Sequence, residues 1–81
     1  MSETETIARN LRGELARHRK TQAALAKELG MSEKTVSERL RGKGAFDTDQ
    51  LEKTATMLGM SLYQLMMLLL QPIDSITKFH V

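Results

Sequence analysis

The chain has no cysteine and no tryptophan, a single proline (Pro72), and only three aromatic residues in its 81. Each scarcity excludes something. Without cysteine there is no disulfide, no thiolate nucleophile and no cysteine metal site, which suits a reducing compartment. With few aromatic and β-branched residues, and Ala, Leu, Glu, Lys, Arg and Met dominating, the composition favours helix over strand. The longest apolar run, Leu65–Leu70, falls far short of the roughly 18 residues a membrane span needs. The start, Met1–Glu5, is polar and acidic and does not resemble a signal peptide. The expectation is a soluble cytoplasmic protein with no membrane partner.

Net charge is only +2, but its distribution is uneven. Residues 1–45 carry ten Lys and Arg against six Glu, whereas residues 46–81 carry two Lys against four acids. A basic front half and a slightly acidic back half fit one face turned to nucleic acid. Chemistry of other kinds finds little support. His18 and His80 have no metal-ligand partner at helical spacing, the serines lack a nucleophile motif, and there is no phosphate-binding glycine loop. Neither enzyme activity, nor a cofactor, nor a small-molecule ligand is expected. Met57 and Met66 stand at core spacing and read as packing.

Apolar residues at helical spacing mark five segments. Ile7, Leu11 and Leu15 form the first stripe, with Thr4 or Thr6 as its cap. Leu25, Ala26 and Leu29 form the second, capped by Thr21 and stopped by Gly30. Val36 and Leu40 anchor the third, between Ser32 and Gly42. Leu51, Ala55 and Leu58 form the fourth, entered through Asp47 or Thr48 and closed by Gly59. Ser61 opens the fifth, and Gln64 three residues later completes a capping box. The expected architecture is all-α: a five-helix domain over residues 1–71 and a short C-terminal tail, 72–81.

Function concentrates in Gln22–Arg41, QAALAKELGMSEKTVSERLR. Two short helices joined by a tight turn need a small residue where their backbones approach and a left-handed residue at the turn. Ala26 and Gly30 supply these, while Leu25, Leu29, Met31 and Val36 pin both helices to the rest. Thr21-Gln22, Leu25-Ala26-Lys27, Leu29-Gly30-Met31-Ser32, Thr35-Val36-Ser37, Gly42-Lys43 and Leu51 through Leu58-Gly59-Met60-Ser61 with Leu65 follow in order. Over residues 5–70 the sequence thereby resembles the lambda-repressor/Cro-like, or XRE, family of helix-turn-helix regulators; its small size resembles a compact phage Cro-type repressor and suits a bacterial regulator or a recombination-control protein nearly as well.

That resemblance implies a sequence-specific transcriptional regulator, by default a repressor, whose partner is double-stranded DNA. Its third helix would enter the major groove, making Glu33, Lys34, Thr35 and Glu38 the candidates for base reading. Glu33 equally suits a helix N-terminus, where the dipole favours an anion. Thr21, Gln22, Ser32, Arg39, Arg41 and Lys43 are the candidates for phosphate, although Ser32 has an equal role as a simple cap. Arg39 departs from the family, which places an apolar side chain there; Leu40 then takes the core contact while Arg39 lays its methylene stem along the core.

The fifth segment is more apolar than one buried face requires. Leu62, Leu65, Met66 and Leu69 fill the core, leaving Tyr63, Met67 and Leu70 as a second stripe at the same spacing. With Ile73, Ile76 and Phe79 of the tail, these form the expected homodimer contact, the alternative being that the tail folds back over the stripe within one chain. The rival reading is a protein-interaction module of the same fold, antitoxin-like, that uses this apolar face for a different partner.

Overall fold

The computed structural model describes residues 2–71, which form five helices and no strand. These are α1 (Glu3–Arg17), α2 (Gln22–Leu29), α3 (Glu33–Leu40), α4 (Thr48–Met57) and α5 (Leu62–Leu69). The tail from residue 72, with Ile73, Ile76 and Phe79, lies outside the described residues.

Contacts between elements close into a ring. α1 packs on α3 and α5, α4 packs on α2 and α5, and α2 packs on α3. Inside it Leu11, Leu25, Val36, Leu40, Leu65 and Leu69 are essentially inaccessible, so every helix but α4 contributes a fully covered side chain of this set. α4 adds Leu51 and Ala55, and Leu58 just beyond it. Burial of this kind stabilises by about 1.5–3 kcal/mol per large apolar side chain.

Helix starts follow the local chemistry of their caps. The side chains of Thr21, Ser32, Asp47 and Ser61 accept from the backbone N–H three residues on, and Asp47–Gln50 and Ser61–Gln64 form reciprocal boxes. α1 differs from the expectation. Its cap is Ser2, with Thr4 and Thr6 inside the helix, because only Ser2 has a glutamate three residues later to close a box. The Glu5 N–H donates to Ser2 Oγ at 3.2 Å, and the Ser2 N–H and hydroxyl donate to Glu5 Oε1 at 3.2 and 3.0 Å.

Helices α1 to α4 all end through left-handed backbone, three of them on glycine. At the end of α2, Gly30 has φ +66° and the Met31 N–H donates to the Ala26 carbonyl at 3.0 Å. α1 closes in the same way, but on Arg19, at φ +56°. There the Lys20 N–H donates to the Leu15 carbonyl at 2.8 Å. An L side chain in this region costs energy that glycine avoids.

Polar groups lock the ring as well. Asn10 Nδ2 donates to the carbonyls of Leu69 and Gln71, both at 2.9 Å, so a side chain of α1 satisfies the open end of α5. Glu14 is buried and meets Arg17 at 2.9 Å.

Two predictions follow from these helix ends. Arg19→Gly stabilises the free protein by about 0.5–1 kcal/mol, the relief of left-handed strain less the added freedom of the unfolded chain. Thermal melting checks this, and a rise of a few degrees is expected. Glu5 titrates below its ordinary value of 4.5, first because of the backbone hydrogen bond with Ser2 and then the hydroxyl one. Because the folded value is depressed, this stabilisation is complete above the ordinary value and is lost as pH falls through the folded one. In NMR titrations, Ser2→Ala shifts Glu5 back upward.

Candidate nucleic-acid interface

α2 and α3 are joined by Gly30, Met31 and Ser32 alone. Three residues cannot carry the chain far, so the direction of α3 is set by which residues it buries. Those are Val36 and Leu40, one turn apart, and they fix the opposite side of an eight-residue helix as the outer face. Lys34, Glu38 and Arg41 follow at i, i+4 and i+7 on that face. Lys34 and Arg41 are exposed and Glu38 is half-buried. Among the described residues, neither Lys34 nor Arg41 has a carboxylate within ion-pair distance; the pairs found there all involve Glu14. Two cations and a carboxylate thus stand on one helix side with their charges unspent within the described fold.

At the head of α3, Ser32 Oγ accepts from the Thr35 N–H at 3.1 Å and donates to Thr35 Oγ1 at 2.9 Å. Ser32 is therefore engaged as a cap, while the Thr35 hydroxyl keeps its own proton for an outside acceptor. Glu33, exposed, is the first helical residue, where its charge faces the positive end of the helix dipole.

The head of α2 is a second part of the surface. Thr21 Oγ1 takes up the Ala24 N–H at 3.0 Å and the Thr21 carbonyl takes the Leu25 N–H, so the N–H groups of Gln22 and Ala23 have no partner within the helix. They border an open groove lined by Arg12, Lys20, Thr21, Gln22 and Leu40. Of the many basic residues near the N-terminus, the fold brings Arg12 and Lys20 to this groove. Sequence spacing could not select them, because the approach of α1 to the head of α2 is a tertiary feature.

Arg41 and Lys43, both exposed, flank the end of α3. Gly42 between them has φ +85°, and a Cβ there would stand 3.0 Å from Glu5 Cγ, so glycine lets this loop lie against α1. Arg39 is placed differently from the other phosphate candidates. Its Nη1 donates to Gln50 Oε1 at 2.7 Å, and its guanidinium lies over the Phe46 ring, 5.8 Å from the centroid. Leu40 holds the core position beside it, as the sequence suggested. Gln50 was missed as a partner, although the Asp-x-x-Gln box at 47–50 was visible.

Tyr63, Met67 and Leu70 are 73%, 56% and 48% exposed, so the second stripe of α5 is uncovered by the described residues. No group of His, Asp or Glu side chains among those residues is arranged to hold a metal ion, and none of their helices is long and apolar enough to cross a membrane.

Two short helices joined by a three-residue turn, the second presenting a polar face, define a helix-turn-helix domain. A family model described as Helix-turn-helix matches residues 11–65, and the chain belongs to that family, the lambda-repressor/Cro-like or XRE group of DNA-binding regulatory domains. No curated protein and no solved structure matches the chain. The match runs from the second half of α1 to the middle of α5, so it includes the whole α2–α3 unit.

Proposed function

We propose that this protein is a sequence-specific transcriptional regulator that binds a pseudo-palindromic site in double-stranded DNA as a homodimer and represses by occluding a promoter. The observation that carries this reading is the outer face of α3, where Lys34 and Arg41 are exposed without a described counter-charge. Lys34 donates to guanine O6 or N7, Glu38 accepts from cytosine N4, and Thr35 meets a thymine methyl or a polar base edge. Glu33 reads a base edge or serves the helix dipole.

Phosphate contacts set the register of this helix in the groove. Gln22 and Thr21 place a phosphate oxygen at the head of α2, beside Arg12 and Lys20. Arg41 and Lys43 hold the backbone beyond the end of the reading helix, while Ser32 serves as its cap.

Dimerisation follows from affinity and from the uncovered stripe. A single module of this size buries too little surface to bind DNA tightly alone, and Tyr63, Met67 and Leu70 offer an apolar face for a second copy. A two-fold pair sets its reading helices about 34 Å apart, one turn of the duplex. The same stripe favours the second reading, a protein-interaction module that holds a different partner.

Selection from random duplex DNA with purified protein at near-physiological salt tests the reading. It is expected to return an inverted repeat with half-site centres about ten base pairs apart. Recovery of no motif, with only weak salt-sensitive binding, would contradict it. On the selected site, Lys34→Ala relaxes the preference at one base position and costs about 1–3 kcal/mol, whereas Arg41→Ala weakens all sequences alike. Sedimentation at micromolar concentration gives a dimer for the native chain and a monomer for Met67→Asp; a native chain that stays monomeric with and without DNA removes the dimer.

A further inference from the structure

The loop from Arg41 to Asp47 is held in an unusual way. Its first part is tied to α3, with the Gly42 N–H donating to the Arg39 carbonyl at 3.0 Å and the Lys43 N–H to the Glu38 carbonyl at 2.9 Å. Its last residue is tied to α4, the Asp47 N–H donating to Gln50 Oε1 at 3.0 Å. Between these ends, the backbones of Gly44, Ala45 and Phe46 find no hydrogen-bond partner among the described residues. Gly42 and Gly44 both have positive φ, at +85° and +109°, so the backbone alone restrains the segment weakly.

Arg39 spans that gap. Its stem lies along Gly44, whose Cα would carry a Cβ 3.8 Å from Arg39 Cγ. Its guanidinium covers the buried Phe46 ring and donates to the same Gln50 oxygen that receives the Asp47 N–H. One carboxamide oxygen therefore joins the last turn of α3 to the first turn of α4, with the loop clasped between them. The hydrogen bond to Gln50 and the contact with the Phe46 ring hold the guanidinium toward the loop and α4, with one of its five N–H donors taken up by Gln50.

From this we infer that Arg39 is a positioning residue for DNA binding: it makes no phosphate contact itself but fixes the 41–47 loop so that Lys43 is presented to the DNA backbone. The inference rests on the proposed DNA-binding function and on Lys43 as a phosphate ligand. It replaces a direct contact by Arg39 with an indirect one. The departure of this position from the apolar residue of the family acquires a reason, since an apolar side chain would fill the space without linking α3 to the Asp47–Gln50 cap.

The test measures binding of the selected duplex as a function of salt for the native chain, Lys43→Ala, Arg39→Met and the double variant. Each phosphate contact contributes about 0.9 to the slope of log affinity against log salt. Lys43→Ala lowers the slope by about that amount; Arg39→Met lowers it equally, and the double variant lowers it no further. Melting in the absence of DNA establishes that each variant is folded at the temperature of measurement. Phe46→Leu removes the ring under the guanidinium while keeping the loop's apolar anchor, and gives a smaller loss in the same direction should Arg39→Met not fold. Additive losses in the double variant would overturn the inference and restore Arg39 as a phosphate ligand. An unchanged slope for Arg39→Met would overturn it in favour of a role in stability alone. If Lys43→Ala leaves the slope unchanged, the phosphate assignment of Lys43 fails and the inference with it, whereas a native chain that selects no site defeats the DNA-binding reading itself.

Discussion

Burial of Val36 and Leu40 against the ring of α1, α2, α4 and α5 is the constraint on which the remaining features of the structure depend. α3 has eight residues and makes too few internal hydrogen bonds to persist alone. Tertiary packing holds it, and the two residues that pack also decide which residues face outward. The three-residue turn leaves α2 no freedom to be elsewhere, and Ala26 keeps the two helices close. A polar outer face is therefore a consequence of core packing, and a substitution at Val36 would disturb DNA binding without touching DNA.

The candidate interface combines three such consequences. The head of α2 is bare because its first N–H groups have no intrahelical partner. The face of α3 is polar because its other side is buried. The loop after α3 is held because Arg39 and Gln50 clasp it. The family to which the chain belongs is one of DNA-binding regulatory domains.

Much of this was legible in the sequence wherever the determining interactions are local. Caps Thr21, Ser32 and Ser61 were readable because a hydroxyl meets an N–H three residues on, and Asp47 was one of the two residues offered for α4. Gly30 was readable because a left-handed turn favours glycine. The start of α1 was misread between Thr4 and Thr6, although the Ser2–Glu5 box gives the same signal as Ser61–Gln64. The left-handed Arg19 left no trace, since nothing in its side chain marks that backbone. Asn10, whose partners lie 59 and 61 residues away, and the buried Glu14 were equally hidden. The candidate site divides in the same manner. The outer face of α3 could be read from helical spacing, whereas the engagement of Arg39 by Gln50 and Phe46, and the gathering of Arg12 and Lys20 at the head of α2, depend on tertiary placement.

In the proposed complex, α3 and the two edges beside it meet DNA. Amide chemical shifts followed by NMR while a short duplex carrying the preferred site is added test it most directly. The changes are expected to concentrate at Thr21–Ala23, Ser32–Glu38 and Arg41–Lys43, with the buried residues of α1 little affected. Changes confined to Tyr63, Met67 and Leu70, with α3 silent, would contradict it and make the apolar face of α5 the functional surface.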